Sequence, residues 1–281
     1  MKPTDTKEFQ TILLTKPEKH IVHVELNRPK VKNAFGFESA EEFVAALELL
    51  EEDSSARCVV LSGKGPHFTS GVDLKSFMTG FAEVQDVDDA ARRAKIMQKL
   101  IGKFQLPFKN MHSFSKPIIC VQHGLCFGLG MELAACSDIR YCSKDTQYAI
   151  REVLIGIAAD VGSLQLMPKL VTNQSLLREL IYTGRDLSAE EALELGFVSR
   201  IFETKEAAIE SATEMASLIS RRSPVAVQGS KRNLKFSEDK PFQVGLEYNS
   251  TWNMSMIQSG DVAKAVEAIL SKSDEVAFDN Y

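Results

Sequence analysis

No stretch of this chain approaches the roughly 18 consecutive apolar residues that a bilayer-spanning helix needs, so no membrane span is expected. The opening run MKPTDTKEFQTILLTK holds no long apolar stretch and is not arginine-rich; no signal or transit peptide is read from it. The last residues, Phe278-Asp279-Asn280-Tyr281, are not a Ser-Lys-Leu peroxisomal address. Basic charge is also short. A formal charge of −5 and a pI near 5.7 argue against a nucleic-acid binder, which would carry a basic face. The five cysteines, Cys58, Cys120, Cys126, Cys136 and Cys142, never take the spacing of a zinc ligand set, and His20, His23, His67, His112 and His123 do not complete one. They read as small buried hydrophobes in a reducing compartment. There is no low-complexity segment and no clear linker. What is present is 281 residues at 44% hydrophobic, enough to fill one sizeable core or two modest ones. The expected partners are small molecules or further copies of the chain.

Residues 10–15 and 21–26 alternate or run apolar between turn signals and predict a strand pair, ended by Asn27-Arg28-Pro29-Lys30. Residues 38–52 carry helical spacing through Phe43, Leu47 and Leu50. Cys58-Val59-Val60-Leu61 predicts a short buried strand running into a glycine-rich loop at 63–66. The phrase recurs: a strand at 118–122 ends at His123-Gly124, a glycine turn at 128–130 opens a helix, and 139–142 is a further strand. Strands and helices alternating in this way predict an α/β layered fold. Beyond about residue 200 the character changes to four helical segments, near 204–221, 224–236, 240–258 and 260–271, with Met215, Leu218, Trp252, Met254 and Met256 among them. These either cap the core or pack on another subunit, and Trp252 is read as a packing or interface residue.

The chemistry is concentrated at 151–162, Arg-Glu-Val-Leu-Ile-Gly-Ile-Ala-Ala-Asp-Val-Gly. Glu152 and Asp160 stand eight positions apart with only apolar residues and one glycine between them, which predicts a buried, turning segment. Two carboxyl groups in apolar surroundings resist ionising together, so one can take a proton while the other gives one. Upstream, Ser70-Gly71-Val72-Asp73-Leu74 and Gly128-Leu129-Gly130-Met131-Glu132 each place glycine between a strand and a helix. Glycine lets the backbone approach a ligand closely, and the first N–H groups of the helix have no internal partner. Two such turns are able to converge on one developing oxyanion.

The phrases LNRPKVKNAF (26–35), HFTSGVDL (67–74), GLGMELAACSDIRYC (128–142), EVLIGIAADVGSLQLMPK (152–169), ALELGFVSRIF (192–202) and SPVAVQGSK (223–231) resemble the crotonase, or enoyl-CoA hydratase/isomerase, superfamily over nearly the whole chain. AADVG (158–162) and TWNMSM (251–256) are most like its dienoyl-CoA isomerases, which shift 3,5-dienoyl-CoA to 2,4-dienoyl-CoA in the β-oxidation of unsaturated fatty acids. The resemblance implies a crotonase-like α/β spiral of ββα repeats over residues 1–200 with the acyl-CoA site, then a helical oligomerisation region over 201–281 that builds homo-trimers or homo-hexamers. It implies that the N–H groups of Val72 and Leu129 hold the thioester oxygen, that residues 70–74 line the thioester and pantetheine end, that Asp160 takes a proton from C2 and that Glu152 returns one at C6. Glu132 occupies the position of a third acid, usually aspartate. No metal or redox cofactor is implied; coenzyme A enters as part of the substrate. The family's compartments are the peroxisome and the mitochondrion.

Hydratases of the superfamily orient water with two glutamates twenty positions apart, and Glu132 and Glu152 have that spacing. An enoyl-CoA hydratase is therefore the alternative, opposed by the extra carboxyl of Asp160. A non-catalytic binder of acyl-CoA or RNA is a third reading, opposed by the retained acids and the negative charge. Arg221, Arg222, Lys231, Arg232 and Lys235 read as solvated helix faces before CoA-phosphate ligands, and His67 and His123 as satisfied loop histidines.

Overall fold

The computed structural model describes residues 9–273 and 276–281; the first eight residues of the N-terminal run, and residues 274 and 275 of the expected 201–281 region, lie outside it. A six-stranded sheet is built from β1 (Ile12–Glu18), β2 (Ile21–Leu26), β3 (Cys58–Gly63), β4 (Ile118–Gln122), β6 (Ile139–Ser143) and β9 (Arg200–Phe202), in that spatial order. The first two strands are antiparallel and the rest pair in parallel. A smaller sheet joins β5 (Leu125–Phe127), β7 (Gln147–Ala149) and β8 (Leu187–Ser188). The chain feeds the two sheets alternately: β4 then β5, β6 then β7. This is the expected spiral of ββα turns.

The apolar runs read as strands are buried because the large sheet is covered on both faces. Successive side chains point to opposite sides. Val59 and Leu61, with Ile118 and Cys120, face a core shared with α1 (Phe37–Glu52), α3 (Ala90–Ser113) and α4 (Leu129–Cys136). Cys58 and Val60, with Ile119 and Val121, face α8 (Lys205–Ser220), whose Ala208, Ala212 and Ala216 form a small-residue stripe on the strands. The expected 201–281 region thus begins with a helix that completes the core. All five cysteines are buried and free.

The remaining helices are α2 (Leu74–Gln85), α5 (Ser163–Leu170), α6 (Gln174–Thr183), α7 (Ala189–Glu194), α9 (Pro224–Ser237), α10 (Phe242–Met256) and α11 (Gly260–Ser271). No helix among the described residues is long and apolar enough to cross a membrane. Lys231 on α9 departs from the solvated face expected of it. Its buried Nζ donates to Lys116 O and to Asp138 Oδ2, each at 2.7 Å, so its long stem crosses apolar ground to reach two acceptors. Lys235 pairs with Glu238, and Arg221 and Arg222 are exposed. Arg232 lies over Trp252, which packs inside the α9–α10 pair.

Candidate active site

Three chain segments meet at the ends of parallel strands. β5 and β7 lie side by side with Phe127 opposite Ala149, so the turn at Gly128-Leu129 stands next to the turn at Arg151-Glu152. A parallel bridge from Thr69 to Cys126 sets residues 70–72 on the other flank of β5, and a second bridge, Phe35 to Val72, fixes them from outside. Gly71 takes φ +95°, and a Cβ there would come within 2.9 Å of Phe127 O. Gly128 takes φ +48°, and a Cβ there would come within 3.0 Å of Glu152 Oε1. Both approaches need glycine. The N–H of Leu129 begins α4 without a helical acceptor, and neither it nor the N–H of Val72 has a backbone acceptor among the described residues.

A cavity of about 230 Å³ opens between these turns and the α2–α3 pair. Ser70, Gly71, Val72, Leu74, Leu129, Glu152 and Asp160 all line it. Asp73 and Glu132 do not. Asp73 caps α2, accepting from Lys75 N and Ser76 N, and pairs with Arg28 at 2.9 Å. Burial pushes its carboxyl up, but Arg28 and the Ser76 N–H outweigh this and hold it below the usual range. Glu132 is fully buried on α4; Ser163 donates its hydroxyl to Oε1, and Oε2 is buried without a partner.

The far wall of the cavity is apolar: Phe77 and Phe81 from α2, and Met97, Leu100, Ile101 and Phe104 from α3. Sequence reasoning missed this wall, although 97, 100, 101 and 104 follow the i, i+3, i+4, i+7 spacing of one helix face. Gln105 ties α3 to the acid-bearing loop by donating to Asp160 O at 2.7 Å. Arg151 stacks 4.0 Å from the centre of the Phe127 ring. His123 and His67 are not on the wall. His123 is bonded to Gly63 O, and burial first, with Lys205 second, lowers it to about 4. His67 Nδ1 accepts from Leu125 N at 3.3 Å. Both are satisfied loop histidines, as expected.

The segment between the acids turns, as a short 3-10 stretch at Glu152–Ile155, but it is not buried. Leu154 is 62% and Ile155 53% exposed, because these apolar groups form the rim of the cavity and the adjoining surface instead of the core. The carboxyls are nonetheless withdrawn from water to different degrees, Glu132 wholly and Asp160 least. Desolvation raises Glu152 above the usual range, with the charge of Asp160 adding to it; desolvation raises Asp160; and desolvation, then Glu152, raises Glu132 well above.

Residues 16–278 match the family described as enoyl-CoA hydratase/isomerase. The chain belongs to that family. Within the family, it is 44% identical over 266 residues to the mouse mitochondrial delta(3,5)-delta(2,4)-dienoyl-CoA isomerase, covering 95% of this chain and 81% of the mouse protein. It is 35% identical to the peroxisomal dienoyl-CoA isomerase of Arabidopsis thaliana, covering 93% and 94%. The crystal structure of an enoyl-CoA hydratase from Bacillus anthracis superposes with a TM-score of 0.84 at 25% identity, over 95% of this chain and 98% of that one.

Proposed function

We infer that this protein is a dienoyl-CoA isomerase that shifts 3,5-dienoyl-CoA to 2,4-dienoyl-CoA. The observation that carries the reading is the pair of carboxyls on one cavity, Glu152 and Asp160, with Glu132 outside it. The thioester carbonyl acidifies C2–H, and the two double bonds extend the resulting charge to C6. Asp160 takes the C2 proton, and the C–H electron pair enters the conjugated system. The N–H groups of Val72 and Leu129 receive the developing oxyanion, each donor contributing about 3 kcal/mol. Glu152 then forms the new C6–H bond. The net change is one proton moved and two double bonds shifted, and no metal or redox group has a part in it. Coenzyme A arrives with the substrate. The α2–α3 wall accepts the acyl tail.

The roles of the two acids follow from their surroundings. Glu152 has a buried oxygen without a partner, which favours its protonated form. Asp160 is exposed, which favours its ionised form relative to a more enclosed carboxyl. A hydratase reading needs Glu132 and Glu152 on one water, and Glu132 has no exposed surface. Helices α9–α11 are assigned to assembly into trimers or hexamers, and the compartment is the mitochondrion or the peroxisome, as for the isomerases above. Purified protein offered a 3,5-dienoyl-CoA and a 2-enoyl-CoA in parallel decides between the activities. Growth of conjugated-dienoyl thioester absorbance supports isomerisation; loss of enoyl absorbance alone replaces it with hydration.

A further inference from the structure

Asp160 sits in a stretch, 157–161, that belongs to no helix or strand and runs between Gly156 and Gly162, both at positive φ. Ala159 is buried, but among the described residues 158–161 make no backbone-to-backbone hydrogen bond. The hydrogen bond that another residue does make with this stretch comes from Gln105 on α3, whose Nε2 donates to Asp160 O at 2.7 Å. Gln105 follows directly on the apolar face that walls the cavity, Met97, Leu100, Ile101 and Phe104.

Helix α3 is held unevenly. Phe104, Phe108 and Met111 are buried, and the Phe104 ring lies 4.5 Å from that of Phe37. Residues 91–96, by contrast, are all exposed. Pro107 stands inside the helix and has no N–H to give to Lys103 O, which loosens the turn between the two parts. Gln105 lies in that turn. Whatever seats the cavity face of α3 therefore acts on Gln105, and through it on the backbone that carries the Asp160 carboxyl.

We propose that Gln105 is a positioning residue that couples acyl-tail binding to the placing of the Asp160 base, so that tail length sets the rate of C2 deprotonation. This rests on the isomerase reading above. The reacting carbons run from C2, beside Asp160, to C6, beside Glu152. A tail that ends at C6 has nothing to lay on the α3 wall. One that continues for several carbons covers Leu100, Ile101 and Phe104 and steadies the helix. The Gln105 amide then fixes the carbonyl of Asp160, and the carboxyl meets C2–H in the reacting geometry more often. Proton transfer is sensitive to that geometry, and tail binding expressed in this way shows in the rate and not only in affinity.

The test measures single-turnover isomerisation by wild type, Gln105→Met and Gln105→Ala, with 3,5-dienoyl-CoA substrates that end at C6 or extend beyond it by increasing lengths. Methionine keeps the stem of the side chain without its donor, and alanine removes both. In wild type the rate constant rises with tail length. In both variants that rise flattens: the longest substrate loses about five-fold, the worth of one hydrogen bond, and the shortest almost nothing. The substrate concentration at half-maximal rate still falls with tail length in every protein, because the apolar wall is intact. A wild-type rate independent of tail length overturns the proposal. So does a loss equal at all lengths, which marks Gln105 as structural only, and so does no loss in either variant. Thermal melts accompany the rates; if alanine folds poorly, methionine decides, and lowered melting in both with the length dependence kept also overturns it. The isomerase reading fails separately, if wild type turns over none of the dienoyl substrates.

Discussion

Asp160 meets solvent at the cavity mouth, and the contact that ties it to α3 is made by its backbone: Gln105 binds its carbonyl, which an asparagine would retain. Asp160→Asn should therefore fold and melt like wild type, while kcat for isomerisation falls by roughly 10²–10⁴ with little change in KM. Steady-state kinetics beside a thermal melt checks this, and an unaffected kcat would remove Asp160 from the role of base. The pH profile follows from the two shifts. On the proposed roles, activity needs Asp160 ionised and Glu152 protonated, and both carboxyls are raised from their ordinary 3.8 and 4.5. The rate should rise and fall about midpoints displaced upward from those values, and Asp160→Asn should abolish the acid limb. Glu132 makes a separate prediction about stability. Its folded pKa lies well above 4.5, so above pH 4.5 the unfolded chain loses a proton that the folded chain keeps. Wild type then loses stability at about 1.4 kcal/mol per pH unit for as long as the folded group stays protonated. Glu132→Gln lacks that loss, so calorimetry should find its stability relative to wild type larger at pH 7 than at pH 4. No pH dependence in the difference would mean that Glu132 titrates like an ordinary glutamate.

At the scale of elements, α8 binds the sheet through a stripe of alanines, and Ala212 at its centre has no exposed surface. Ala212→Leu forces extra methylenes between helix and strands and should destabilise by about 1–3 kcal/mol in urea unfolding, with KM unchanged because the cavity is on the other side of the sheet. A stability within error of wild type would show that the helix shifts freely. The strands that α8 covers were legible in the sequence because parallel strands buried on both faces read as plain apolar runs, as at 58–61 and 118–122. Helix α3 was not, since Ala90–Ser113 opens on charged residues and carries Pro107 inside. The apolar stretch after Glu152 misled in the opposite way. Hydrophobicity says that a group avoids water, but not whether a core, a ligand or another chain will cover it. The glycine turns and the two acids on the cavity were readable because they are local patterns. Asp73 was misplaced because a helix cap and a ligand contact ask for the same residue at the same point. Ser163 left no trace, since its contact with Glu132 spans 31 positions.

For the whole molecule, the balance of apolar surface decides what the chain does in solution. Helix α10 runs for 15 residues and buries Gly245; α11 runs for 12 and buries Asp261 and Ala268. Meanwhile Phe242 is 81% and Leu270 79% exposed, and Leu234 and Ile269 are exposed with them. Each such side chain gains about 1.5–3 kcal/mol when fully covered, so a few of them meeting a second copy offset the cost of association. A folded chain that left this surface in water would be prone to unspecific contacts. The protein should therefore run in light scattering at micromolar concentration as a multiple of its 31.2 kDa chain mass. Because Leu270 makes no core contact, Leu270→Glu should leave the chain folded by circular dichroism while lowering that mass. A monomeric wild type would refute assembly through α9–α11, and a Leu270→Glu protein of unchanged mass would place the interface elsewhere on the surface.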